Sequence, residues 1–211
     1  VNGSFLFQGR YYNYFNHDYN LAWNNERSVE IPIFWEIVSA NQGKRILEFG
    51  NVLSHYFEVN HDILDKYEMA PGVMNQDVLG FRPLTLYDLI ISISTLEHVG
   101  WDEEVLYSGQ GGSGQSSQDP DASLAAVDIL QRCLANGGKM IVSIPVGSNP
   151  YLDQFLAEGR LRFDECLAMR RISAANEWVE AEWTEVLGAS YNFPYPNANA
   201  IIIGSIIRNS G

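Results

Sequence analysis

Lysine is scarce in this chain. Among 211 residues only Lys44, Lys66 and Lys139 carry it, and 13 Lys plus Arg stand against 26 Asp plus Glu, a formal net charge of -13. A duplex nucleic acid needs cations to neutralise its phosphates, and an anionic membrane surface asks for basic clusters. The charge balance therefore argues against both partner classes. Long apolar runs are missing as well: no stretch nears the roughly 18 residues of a membrane span, and no basic-then-apolar targeting pattern opens the sequence. The expected location is the cytoplasm. Cysteine occurs twice, at Cys133 and Cys166, too few for a disulfide framework and spaced like no zinc site. Both read as small buried apolar side chains. The first residue is Val rather than Met, which fits a processed chain or a piece of a longer protein.

What is present is an ordinary globular composition, 46% hydrophobic and 12% aromatic, sufficient to bury a core. At about 150 residues per domain the length allows one domain with a modest appendage. Residues 1–43 read as an N-terminal aromatic arm and a helix. Phe5, Phe7, Tyr11, Tyr12, Tyr14, Phe15, Tyr19 and Trp23 follow neither a helical nor a strand period, so the arm is expected to dock on the domain or to cover a binding site. A helix then starts at Glu26 or Ser28 and runs to Val38, with Pro32 tolerated only in a first turn and Gly43 as its end.

From residue 44 onward, short apolar runs alternate with turn and helix signals, as in a sheet covered on both faces. The runs are RILEF (45–49), DILD (62–65), VMNQDV (73–78), YDLIISIS (87–94) and KMIVSIP (139–145). Asp119, Pro120 and Gly137 bracket a helix between the last two, and strand, helix, strand implies parallel pairing. Later come the strands ECLAMRRI (165–172) and AIIIGSIIR (200–208), and between them Asn176 is expected to cap a helix over EWVEAEWTEVL. The low-complexity stretch SGQGGSGQSSQ (108–118) reads either as a lid or as a surface insertion.

Glu48 lies two residues before Gly50 at a strand-to-helix turn. A pyrophosphate site wants G-x-G-x-x-G, whereas Val52 and Leu53 follow here, which disfavours a nicotinamide-dependent oxidoreductase. A phosphate-free ligand asks only for one close backbone approach and hydrogen-bond acceptors.

In order, ILEFG, Asp65, QDV, STLEHVGWD and LANGGKMIVSIPVG resemble the motifs of the class I, Rossmann-like S-adenosylmethionine-dependent methyltransferases, over residues 44–147 and more loosely to the end. The resemblance implies an α/β fold for residues 44–211: a mainly parallel seven-stranded sheet with helices on both faces and an antiparallel last strand. It implies S-adenosyl-L-methionine as cofactor, met by Glu48, Phe49, Gly50 and Asn51 in the first motif, by Asp65 and Lys66 at the ribose, by Asp77 and Val78 at the adenine, and by Ser94 and Thr95 at the fourth strand end. Carboxylates suit this ligand, which carries a sulfonium and an ammonium, and Asp65 is a natural bidentate acceptor for two ribose hydroxyls.

For a hydroxyl acceptor His98 is the candidate base, because its ordinary pKa of about 6.5 lies near working pH, with Glu97 or Asp102 to orient it. The plainer reading of His98 is packing at a helix start. Trp101, Asn149 and Tyr151 are candidates for contact with the acceptor. Some O-methyltransferases of this fold recruit a divalent ion through a Glu-His pair, but Ser94 stands where a third carboxylate would be, so no metal is expected. LEHVGWD and SIPVGSNPYLD look most like methyltransferases that accompany glycosyltransferases in glycan assembly, which implies a sugar hydroxyl as acceptor and glycosyltransferase domains as possible neighbours in a longer chain. The alternative is a non-catalytic scaffold that keeps the fold, motivated by Val52 and by the short linkers, with about ten residues between Gly50 and His61.

Overall fold

The computed structural model describes residues 3–102 and 118–209; the expected lid at 108–118 falls almost wholly outside them. A hairpin of β1 (Ser4–Phe7) and β2 (Arg10–Asn13) leads through a 3-10 turn, Tyr19–Asn24, into α1 (Arg27–Ala40). Then follow β3 (Ile46–Phe49), β4 (Asp62–Asp65), β5 (Val73–Asn75), β6 (Tyr87–Ile93), α2 (Ala122–Arg132), β7 (Leu134–Pro145) and α3 (Pro150–Ala157). The chain ends in β8 (Glu165–Arg171), β9 (Trp178–Ala181), α4 (Trp183–Val186) and β10 (Ala200–Ile207).

One sheet organises the molecule, in the order β5-β4-β3-β6-β7-β10-β8-β9. β3 pairs in parallel with β4 and β6, β4 with β5, and β6 with β7, while β10 runs antiparallel to β7 and β8. Successive side chains of a strand point to opposite faces, and two cores result. Leu47, Phe49, Ile90, Met140, Val142 and Ile144 pack beneath α2 and α3. Ile46, Leu89, Ile91, Ile93 and Ile141 pack beneath α1. The β3-to-β4 connection holds only a 3-10 turn, Leu53–His55, as the short spacing in the sequence implies.

The N-terminal segment docks on the domain, one of its two expected roles: Phe5, Phe7 and Tyr14 are buried in the second cluster and the Phe5 and Tyr12 rings stack at 5.5 Å, while Tyr11, Tyr19 and Trp23 stay exposed. Two expectations change. Pro32 lies beyond the first turn of α1, where it deprives the Ser28 carbonyl of its i+4 donor; the Phe15 N–H supplies one from outside the helix at 2.9 Å. The sheet has eight strands rather than seven, because residues 178–181 are strand and only 183–186 helix.

The reason for the eighth strand is tertiary. Asn176 adopts a left-handed φ of 62°, which turns the chain back so that Trp178 pairs with Arg171 and buries its ring. The Trp178 N–H donates to the Tyr14 hydroxyl at 2.8 Å, which gives a buried donor of the edge strand its partner. Replacing Tyr14 by Phe should strand that buried N–H and lower stability by about 1–3 kcal/mol, read from urea unfolding; a change near zero would show that the hydroxyl does not hold β9.

Candidate functional site

The carboxyl ends of β3, β4 and β6 converge on a cavity of about 630 Å3, where ligands bind in open α/β sheets. Its floor is the turn after β3. Gly50 has a φ of +86°, and a Cβ there would overlap the Thr95 side chain, so glycine is required both by conformation and by close approach. Phe49, Gly50, Asn51, Asp65, Lys66, Ser94, Thr95, Glu97, His98 and Asp102, all expected at the site, do line the cavity.

Asp65 is there in a different role. Its Oδ1 accepts the N–H groups of Tyr67 and Glu68, both at 2.8 Å, and its Oδ2 accepts that of Asn51 at 3.1 Å. With about four acceptor positions on a carboxylate, these bonds among the described residues leave one, on Oδ2, for a ligand in place of the expected bidentate grip on two hydroxyls. Glu68, which sequence reasoning missed, stands beside it on the wall and holds Asn51 Nδ2 at 2.7 Å and His55 Nε2 at 3.1 Å.

Six other expected residues lie off the wall. Glu48 is fully buried; its Oε1 accepts the Val52 and Leu53 N–H groups at 2.9 and 2.8 Å, and its Oε2 meets His61 Nε2 at 2.7 Å. The carboxylate therefore shapes the floor from behind. Asp77 caps the turn Val78–Gly80 through the Leu79 N–H and pairs with Lys66 Nζ at 3.0 Å, while Val78 is core. Asn149 spends its Oδ1 on the Tyr151 and Leu152 N–H groups as the cap of α3, and its Nδ2 donates to the Glu97 carbonyl at 2.7 Å. Trp101 and Tyr151 pack edge to face, 5.5 Å apart.

The remaining wall comes from the start of α1, from Tyr19 of the N-terminal segment and from the connector before β10. Arg27, at the start of α1, is buried and donates to Glu30 Oε2 at 2.8 Å and to the carbonyls of Ile93 at 3.1 Å and Ser94 at 3.5 Å. Ser94 takes a left-handed φ of 41° and donates its hydroxyl to Glu30 Oε1 at 2.5 Å. Glu26 accepts the Ala198 N–H at 3.2 Å. Tyr19 stacks on His55 at 4.3 Å, and Tyr191 enters from the connector before β10. The buried polar residues at the helix start were the available signal; their partners, 64 to 172 residues away, were not.

These neighbours set the electrostatics. Burial lifts the Glu97 carboxyl from 4.5 to about 7, although His98 and Arg27 pull the other way. Burial also raises Glu26, with the charge of Glu30 adding to it. For His98, burial favours the neutral ring, but the hydrogen bond to Asp102 and the charges of Glu97 and Asp102 outweigh it, so its pKa lies above 6.5. Its Nδ1 is 2.7 Å from Asp102 Oδ1, and its Nε2 lies 3.7 Å from Glu97 Oε1. Among the described residues no three His, Cys, Asp or Glu side chains gather so as to hold a metal ion, and no helix is long and apolar enough to cross a membrane.

Comparison with solved structures finds the same fold in the N-methyltransferase NodS from Bradyrhizobium japonicum, crystallised with S-adenosyl-L-homocysteine, with a TM-score of 0.51 at 14% identity over 88% of each chain. Weaker matches include magnesium protoporphyrin IX methyltransferase from Synechocystis (TM-score 0.44, 11% identity, 87% of this chain and 79% of that one). Another is the sugar N-methyltransferase KedS8 from Streptoalloteichus (TM-score 0.40, 11% identity, 100% and 99%). No protein-family model and no curated protein matches the chain. The architecture is that of the class I methyltransferases.

Between pH 4.5 and 7 folded Glu97 keeps a proton that the unfolded chain has released, so stability falls as pH rises through that window. From pH 5 to pH 8 the wild type should lose about 2 kcal/mol more than Glu97→Gln, compared by chemical unfolding at the two pH values. Equal losses would mean that Glu97 ionises freely in the fold.

Proposed function

We propose that the chain transfers the methyl group of S-adenosylmethionine to a hydroxyl of a small molecule, a sugar by preference, in the cytoplasm and in the service of glycan assembly. The observation that carries this reading is the His98–Asp102 pair on the wall of a strand-end cavity floored by Gly50. The fit to the cofactor rests on this chain's own residues. The floor is a bare backbone turn, the remaining acceptor position of Asp65 and the carboxylate of Glu68 face the cavity where a ribose would rest, and the acidic wall suits a cationic ligand. Lys66, Asn51 and Thr95 complete the cofactor side. When bound, S-adenosylmethionine supplies an electrophilic methyl whose bonding pair leaves with sulfur.

Asp102 accepts from Nδ1–H of His98 and so fixes the tautomer in which Nε2 is the bare nitrogen. That nitrogen takes the hydroxyl proton as the acceptor oxygen gains the methyl. The protein otherwise aligns the two reactants and keeps water out, a task for the aromatic wall of Tyr19, Tyr56 and Tyr191.

Calorimetry with S-adenosyl-L-homocysteine should show saturable binding, and its absence in a folded sample would sink the proposal. Turnover should require neutral His98, so kcat should rise with pH through a midpoint above 6.5. Asp102→Asn should bring that midpoint down, since it removes a raising charge, and His98→Gln should cost about 100-fold or more in kcat with little change in cofactor affinity. A pH-independent kcat would remove His98 from the proton transfer.

A further inference from the structure

We infer that the part of the cavity between the start of α1 and the end of β6 is a subsite for a protonated amine, with Glu97 as its counter-ion and Glu26 beside it. This deepens the methyltransferase reading and rests on it for the identity of the ligand. The first observation is a crowding of carboxyl groups, which becomes a surplus of negative charge once Glu97 ionises, above about pH 7. Glu26, Glu30 and Glu97 all act on the guanidinium of Arg27, and Glu26 acts on that of Arg171 as well, so that Glu30 and Glu97 are left to share Arg27. Arg27 is committed already, to Glu30 and to two strand-end carbonyls. The other cations of the wall are engaged as well: Lys66 pairs with Asp77, and His98 bonds to Asp102.

The second observation is an orphaned atom. Glu97 lines the cavity and is 2% exposed, and its Oε2 is buried without any hydrogen-bond partner among the described residues. Its other oxygen lies 3.7 Å from His98 Nε2, beyond a hydrogen bond. An unmet buried carboxylate oxygen is costly. A neutral hydroxyl would satisfy the lone pair and leave the surplus charge, whereas an ammonium answers both, through charge-assisted N–H donors. The Tyr191 phenol, whose pKa burial pushes up and Glu26 and Glu97 push further, bounds the same space. An anionic group is repelled there.

The amine can belong to the cofactor's amino-acid end or to the acceptor. Titration calorimetry on the full chain and on Glu97→Gln separates the two, using S-adenosyl-L-homocysteine, 5′-methylthioadenosine (which lacks the amine), and D-glucosamine against D-glucose on the homocysteine-saturated protein. A loss of about tenfold or more for S-adenosyl-L-homocysteine, with methylthioadenosine within about twofold, assigns the cofactor's ammonium to Glu97. The same loss confined to glucosamine assigns the acceptor's. Melting at pH 8 in methylammonium chloride against equal sodium chloride needs no nucleoside, and methylammonium should raise the melting temperature of the wild type and not of Glu97→Gln. Absence of that difference, together with no amine-selective loss in the titrations, overturns the inference. If neither adenosine compound binds while the methylammonium effect persists, the amine subsite stands and the methyltransferase reading falls.

Discussion

A guanidinium held out of water at the end of a parallel strand constrains everything around it. Arg27 has to find acceptors in place of its hydration, and it finds them in Glu30, one turn along its own helix, and in the last carbonyls of β6. Ser94 closes the loop by donating to the same Glu30. The start of α1 is thereby pinned across the mouth of the sheet. The chain leaves β6 through a left-handed residue, and Thr95 is set down on Gly50. The wall at the start of α1 and the exit from β6 toward Glu97 and His98 are tied to that one buried cation, while Glu48 fixes the floor from behind.

The sheet's second face shows how a shortened connection is made good. Where a doubly wound fold would place a helix between β3 and β4, this chain has one 3-10 turn. Apolar residues of β3 and β6 are covered instead by α1 and by aromatic side chains from the N-terminal hairpin. The stacked rings of Trp35 and Phe57, 4.0 Å apart, continue through Phe15 and Tyr56 to Tyr19 at the cavity. Phe5, Phe7, Tyr12, Tyr14 and Phe15 of the leading segment thus pack the second core, and Tyr19 adds to one wall of the site.

The parallel strands were legible because burial on both faces leaves unbroken apolar runs, and with them came the residues adjacent to strand ends: Gly50, Asp65, Ser94, Thr95 and His98. Residues 178–181 were not, since a Glu-rich stretch with tryptophans at 178 and 183 reads as helix until Tyr14, 164 positions earlier, claims its backbone. Asp77 and Asn149 misled for a local reason, as short polar side chains readily bond to nearby backbone N–H groups, and both serve as caps here. Glu26, Arg27 and Tyr191 were hidden because a helix start and a connector carry no periodic sign of what they face.

The proline in α1 ties the two ends of this design together. The Ser28 carbonyl, vacated by Pro32, is occupied by the amide of Phe15, and Ser28 sits immediately after the arginine that anchors the mouth of the sheet. The leading segment is therefore stitched into the same turn of helix that carries the buried charge. Swapping or shortening that segment in a hybrid protein would disturb the helix entrance itself, and through it the geometry of the pocket some distance away.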